Sequence, residues 1–119
     1  MDLESIRRYC LSLPHSTEGV QWENALLFRI SGKIFVVASL ETTPVHISFK
    51  CTPEQFGELV ERDGIIPAPY MARNHWVQLE QPDAVSRTEL KRLIRDSYNM
   101  VAAKLPKKIR LQLGLSVTI

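Results

Sequence analysis

Only two cysteines, Cys10 and Cys51, occur in 119 residues. They are too few and too far apart for a disulfide framework or a CxxC redox pair, so they read as ordinary core thiols. Glycine is also scarce, at five, and neither GxGxxG nor the P-loop pattern can be written anywhere in the chain. His15, His46 and His75 lack the close spacing of a local metal site, and there is no HExxH or paired-cysteine signature. No GxSxG elbow appears, and nothing in the sequence sets a cysteine beside a histidine. These absences point to a protein that is not an enzyme and needs no cofactor or metal, within the limit that motifs do not report ligands assembled from distant segments. No apolar run approaches the length of a membrane span, and the N-terminus has neither the basic flank nor the apolar run of a secretory signal. A cytoplasmic location is the expectation.

Carboxylates are missing from the end of the chain. All thirteen acidic residues fall between Asp2 and Asp96, whereas Lys104, Lys107, Lys108 and Arg110 stand in a tail, residues 104–119, without one. Residues 1–103 hold eleven basic against thirteen acidic residues, a net of −2, beneath a total of +2. The body is therefore not basic, which argues against a domain given over entirely to nucleic acid. Hydrophobic residues at 45% and charged residues at 24% are ordinary for a globular chain. A length of 119 residues suits a single domain, 1–119, that buries about two-thirds of its unfolded surface. A monomer is expected.

Three helices are marked by their ends. In the first, Leu3, Ile6, Cys10 and Leu13 recur on one face, Asp2 can cap the start and Pro14 forbids continuation. The second opens with Thr52-Pro53-Glu54-Gln55, a capping box with proline where no amide is needed, and Gly64 supplies a left-handed stop. The third opens with Ser86-Arg87-Thr88-Glu89, a second capping box, and its stripe Leu90, Leu93, Ile94, Tyr98, Val101 and Leu105 runs to Pro106. Between the first two helices the period falls to 2. Leu26, Phe28 and Ile30 alternate with Leu27, Arg29 and Ser31, Ser31-Gly32 offers a tight turn, the continuous apolar run Ile34 to Ala38 reads as a central strand, and Val45, Ile47 and Phe49 alternate with His46, Ser48 and Lys50. His75 to Glu80 forms another strand, with a short extended piece near Pro67 to Tyr70 to pair with it. The predicted order is α-β-β-β-α-β-β-α, an α+β fold of two layers whose sheet is mainly antiparallel with helices on one face.

Two surfaces could meet an anion. Arg29, His46, Ser48 and Lys50 project from the strand sides opposite the apolar stripes, and Trp76 and Gln78 share one side of the last strand. If those sides coincide, cations and a flat ring form a platform suited to phosphate and unpaired bases. On the third helix Arg87, Lys91 and Arg95 follow at i, i+4 and i+8 and lead to the tail lysines. The plain alternatives are a solvated helix face partly compensated by Glu89 and Asp96 around Arg92, a Trp76 used for burial, a Tyr98 in the core with its hydroxyl satisfied, and a Lys33 that belongs to turn chemistry beside Gly32. The loop IPAPYMARNHW, Ile66 to Trp76, crowds two prolines, aromatics and basic residues between regular elements and is a candidate for closing a pocket.

The segments CLSLP, FRISGKIFVV, VHISFKCTPEQF, IPAPYMARNHWVQL and LIRDSYNMVAAKLPKKIR, in this order and spacing, resemble the MmcQ/YjbR-like family of small bacterial proteins. The resemblance implies a two-layer α+β fold likened to frataxin-type (CyaY-like) and secretion-chaperone-type domains, with a double-wing mode of DNA binding. Two expectations result. The first is a non-catalytic nucleic-acid-binding domain using Arg29, Lys33, Lys50, Arg73, Arg87, Lys91, Arg95, Lys104, Lys107 and Lys108 on phosphate, with Trp76 beside them. The second is a binding module for a small molecule or protein, with contacts from Tyr70, Met71, His75, Trp76 and Tyr98.

Overall fold

The computed structural model describes residues 1–21, 24–41, 43–69 and 74–115. Its elements are α1 (Leu3–Ser12), β1 (Ser16–Gln21), β2 (Ala25–Ile30), β3 (Lys33–Ser39), β4 (His46–Lys50), α2 (Pro53–Leu59), β5 (Ile65–Pro67), β6 (Trp76–Leu79), a 3-10 turn at Pro82–Ala84, α3 (Arg87–Ala103) and α4 (Lys107–Gln112). The strands form one antiparallel sheet in the order β1-β2-β3-β4-β6-β5.

The helix starts follow from their caps. Asp2 accepts a hydrogen bond from the Ser5 amide at 2.8 Å, which satisfies one of the donors that a first helical turn leaves free. At α2 both bonds of the capping box form: the Gln55 amide donates to Thr52 Oγ1 at 3.1 Å and the Thr52 amide to Gln55 Oε1 at 3.0 Å. At α3 only half of the expected box is made. Ser86 Oγ accepts from the Glu89 amide at 3.1 Å, but the Glu89 carboxylate turns to Arg62, at 2.9 Å. A guanidinium offers that carboxylate a charge-assisted partner, stronger than the reciprocal bond to a backbone amide.

The expected element order is present, with two additions. β1, STEGVQ, has one large apolar residue and no alternation, so nothing in its pattern marks a strand; it is an edge strand held by its ladder to β2. The basic tail contains α4, whose Ile109 packs against the core. α2 stops at Leu59, short of Gly64, and Gly64, at φ +82°, instead turns the chain into β5. β5 itself lies at Ile65–Pro67, slightly ahead of the extended piece expected near Pro67 to Tyr70. In the β2–β3 turn Ser31 and Gly32 both have positive φ, 49° and 81°, the left-handed pair that matches the twist of a two-residue hairpin.

One sheet face packs on the helices. Phe28, Val36, Ile47, Phe49, Val77 and Leu79 meet Ile6 and Cys10 of α1, Leu59 of α2, and Leu90, Leu93 and Ile94 of α3 in a single core. A bulge shifts the β2–β3 register so that Phe28 pairs with Val36 and Arg29 with Ile34, leaving Phe35 opposite no residue. A bulged residue drops out of the ladder, and the Phe35 carbonyl is taken by α3. Ser97, fully buried, donates to it at 2.7 Å and accepts from the Lys50 amide at 3.0 Å. Its neighbour Tyr98 stacks edge-on against Phe35, centroids 5.3 Å apart, and donates its hydroxyl to the Pro14 carbonyl at 2.6 Å. Two adjacent residues thus fix α3 to β3, to β4 and to the turn after α1.

Ser97→Ala strands the Lys50 amide and the Phe35 carbonyl together. The expected loss is about 1–3 kcal/mol of unfolding free energy, the cost of a buried polar group left without a partner, measured by urea denaturation with the far-ultraviolet dichroism of the native state unchanged. A variant as stable as the parent would show that the bridge contributes nothing.

Candidate functional site

The ladder decides which side chains share a face. Ser48 lies opposite Gln78, Lys50 opposite Trp76, Val37 opposite Ser48, and Arg29 opposite Ile34. Alternation along β2, β4 and β6 puts Arg29, His46, Ser48, Lys50, Trp76 and Gln78 on the side of the sheet opposite Phe28, Ile47, Phe49, Val77 and Leu79. The Gln78 amide and His46 Nδ1 are 3.1 Å apart on it. Trp76 is only 5% exposed, so its ring is a wall and not an open stacking surface. Arg29 leans toward β1, where its Nη1 lies over Gly19, so that a Cβ there would sit 3.4 Å from it.

The lysines gather at one end of this face. Lys33 at the start of β3, Lys50 at the end of β4 and Lys104, the cap after α3, surround a cavity of about 340 Å³ whose other walls are Ile34, Asn74, Trp76 and Val101. The position of Lys104 follows from the Ser97 bridge: Val101 and Lys104 lie four and seven residues beyond it, one and two turns along the same side of the helix. Burial in the first place, and the nearby Lys104 ammonium in the second, hold Lys50 below the ordinary lysine range. Among the described residues no carboxylate lines this cavity. A second cavity, about 520 Å³, adjoins it and shares Lys50, Asn74 and Lys104; its walls include Cys51, Pro53, His75, Met100 and Ala103.

The remaining expected cations lie elsewhere. Arg87 and Lys91 turn toward α1, where with Arg8 they line a cleft of about 240 Å³, and the Lys91 Nζ stands 5.8 Å from the centre of the Tyr9 ring. Lys91 and Lys104 are thirteen residues apart, about 20 Å along a helix axis, so this cleft and the lysine cavity are separate. Arg95, Lys107 and Lys108 are exposed. Among the described residues the ion pairs involve Arg7, Arg62 and Arg92, and none of the candidate cations. Tyr98 lines neither lysine cavity: it is 5% exposed, with its hydroxyl on Pro14. His75 lines the second cavity, its ring edge-on to Phe56 at 5.7 Å. Tyr70, Met71 and Arg73 fall outside the described residues.

Asn74, Val101 and Met100 were not legible as site residues. The available signal was the spacing Ser97, Val101, Lys104, which puts a lysine on the sheet side of α3, but only the Ser97 hydrogen bonds reveal where that side points. Cys51 is no nucleophile at neutral pH: burial pushes its thiol up to about 11, and its Sγ donates to the His75 carbonyl at 3.2 Å. Cys10, in the core, is pushed by burial up to about 12. Among the described residues no three His, Cys, Asp or Glu side chains stand close enough to hold a metal ion, and no helix is long and apolar enough to cross a membrane.

The Lys50 geometry fixes a pH dependence. A lysine whose folded value lies below its unfolded value leaves the unfolded chain binding more protons, so stability rises with pH from the lowered value up to the ordinary 10.5. Urea denaturation between pH 8 and about 10.5 is expected to show the parent gaining stability relative to Lys50→Met, and Lys104→Met showing a smaller gain than the parent. Equal slopes for all three would contradict the placement. Both thiols are expected to stay silent to Ellman's reagent in the native protein at neutral pH and to react fully in denaturant; fast native labelling of Cys51 would refute its burial.

A family model, YjbR, matches residues 11–100. The uncharacterized protein YbdF of Escherichia coli O157:H7 is 31% identical over 85 residues, which span 69% of this chain and 68% of that protein. Among solved structures, the Deinococcus radiodurans protein DR2400, a DUF419 domain, superposes with a TM-score of 0.88 at 27% identity, over 99% of this chain and 91% of its own. A Pseudomonas syringae protein from structural genomics shares the fold at a TM-score of 0.69 and 23% identity, over 85% and 99%. The family match takes in β1 to β6 and α3 as far as Met100, including Lys33, Lys50, Trp76 and Ser97, and the chain belongs to the YjbR family.

Proposed function

We propose that this chain is a non-catalytic cytoplasmic binding module whose ligand carries a phosphate, held by Lys33, Lys50 and Lys104. The observation that carries the reading is the convergence of three ammonium groups from three elements on one cavity, without a carboxylate among its described walls. Keeping Lys50 charged beside Lys104 and partly out of water disfavours the empty site, and a dianion between them removes the repulsion. Phosphate suits this arrangement better than a carboxylate, because it has enough acceptor oxygens to engage several lysines at once.

A second reading, nucleic acid, is favoured by a different observation. Arg8, Arg87 and Lys91 in the α1–α3 cleft, with exposed Arg95, Lys107 and Lys108, form no ion pair with a carboxylate among the described residues. Such cations attract a polyphosphate backbone without reading sequence. They lie outside the lysine cavity, so the two readings separate experimentally.

Calorimetric titration with inorganic phosphate at low salt is expected to give saturable binding. Lys50→Met and Lys104→Met should each weaken it by about tenfold or more, in line with roughly 1.5–3 kcal/mol for a hydrogen bond to a charged group, while the paired substitution Arg87→Gln with Lys91→Gln leaves it unchanged. Labelled DNA titrated at several salt concentrations tests the second reading: salt-sensitive binding that drops in the Arg87/Lys91 variant supports it. Absence of any phosphate binding at millimolar concentration would sink the first.

A further inference from the structure

We infer that the phosphate of the ligand is joined to an aromatic ring, and that the ligand class is a nucleoside monophosphate. The inference rests on the phosphate-binding reading and extends it to the adjoining cavity. That cavity is the larger of the two, about 520 Å³ against about 340 Å³, and Lys50, Asn74 and Lys104 border both. A group held between the two lysines therefore has the second cavity directly beside it. Beyond the lysines, its walls change in character. Pro53, Met100 and Ala103 present apolar surface, and Met100 stays half-buried while Pro53 and Ala103 are exposed, so apolar atoms face the cavity without being covered by the fold. Free inorganic phosphate would leave that surface wet. A flat ring would cover it, and a thioether is well suited to the face or edge of an aromatic system.

The polar groups around the same cavity fit the rim of a base more closely than a plain hydrocarbon ring. Asn74 offers both donors and an acceptor from an exposed amide, and the Thr52 hydroxyl, which already accepts from the Gln55 amide, retains its proton to donate. The His75 ring is held edge-on against Phe56 and borders the cavity. Cys51 contributes no competing chemistry, since its thiol is protonated and engaged with the His75 carbonyl. Among the described residues no carboxylate lines either cavity, so nothing there selects for a cationic ligand.

The test is a calorimetric series at fixed ionic strength with inorganic phosphate, ribose 5-phosphate and AMP, on the parent chain, Met100→Ala and Lys50→Met. AMP is expected to bind about threefold to tenfold more tightly than ribose 5-phosphate, the scale of a thioether–ring contact. Met100→Ala should remove most of that advantage while leaving ribose 5-phosphate unchanged, which also shows the variant to be folded; Lys50→Met should weaken all three. Equal affinity for AMP and ribose 5-phosphate, or an AMP advantage that survives Met100→Ala, overturns the inference and leaves the phosphate reading standing. Failure of all three probes to bind the parent overturns both.

Discussion

The Ser97 hydroxyl is the contact on which the arrangement turns. The β2–β3 bulge frees the Phe35 carbonyl, β4 ends with the Lys50 amide, and one buried hydroxyl donates to the first and accepts from the second. A buried side chain that satisfies two backbone groups from neighbouring strands tolerates neither a shift along the helix axis nor a rotation about it, because either motion strands polar atoms away from water. α3 therefore has one register against the sheet, and Tyr98 reinforces it by bonding to Pro14. Two turns farther on, the same register brings Lys104 beside Lys50. A constraint in the core thus sets the electrostatics of a surface cavity.

The distribution of carboxylates complements that constraint. Arg7 is bidentate on Glu18, tying α1 to β1, and Arg62 bridges Glu58 and Glu89, tying the end of α2 to the start of α3. The bond to Arg7 holds Glu18, and the bond to Arg62 holds Glu89, below the usual carboxylate range. Exposed or half-exposed pairs of this kind contribute little to stability singly. Their placement is more informative: the interacting acids sit on β1, at the end of α2 and at the start of α3, and no carboxylate is left among the described walls of the lysine cavity. The mild net charge of the chain conceals this segregation.

Much of the architecture could be read from residue patterns. Capping residues, prolines and glycines placed the three longer helices, because the helix-end chemistry is local; period-two alternation placed β2, β4 and β6, and a continuous apolar run placed β3. β1 escaped because an edge strand needs only its backbone ladder, which leaves no hydrophobic signature. The second half of the α3 capping box was misread because Arg62, distant in sequence, competes for Glu89. Among the site residues, Lys33, Lys50, Trp76, Lys104 and His75 were named and are found around two adjoining cavities, whereas Arg29, Arg87, Lys91 and Arg95 point away from them. Helical spacing put Arg87, Lys91 and Arg95 on one stripe, yet spacing alone does not show which neighbour the stripe faces; here it faces α1 and solvent.

By itself, the sequence determined the element types, the two-sided character of the strands and the scarcity of acid near the C-terminus, since each depends on residues within a few positions of one another. Only the tertiary structure decided that Lys33, Lys50 and Lys104 would become neighbours. That proximity depends on the bulge at Phe35, the strand order β3-β4-β6 and the Ser97 bridge acting together, and no local rule relates a turn, a strand end and a helix cap across seventy residues of chain.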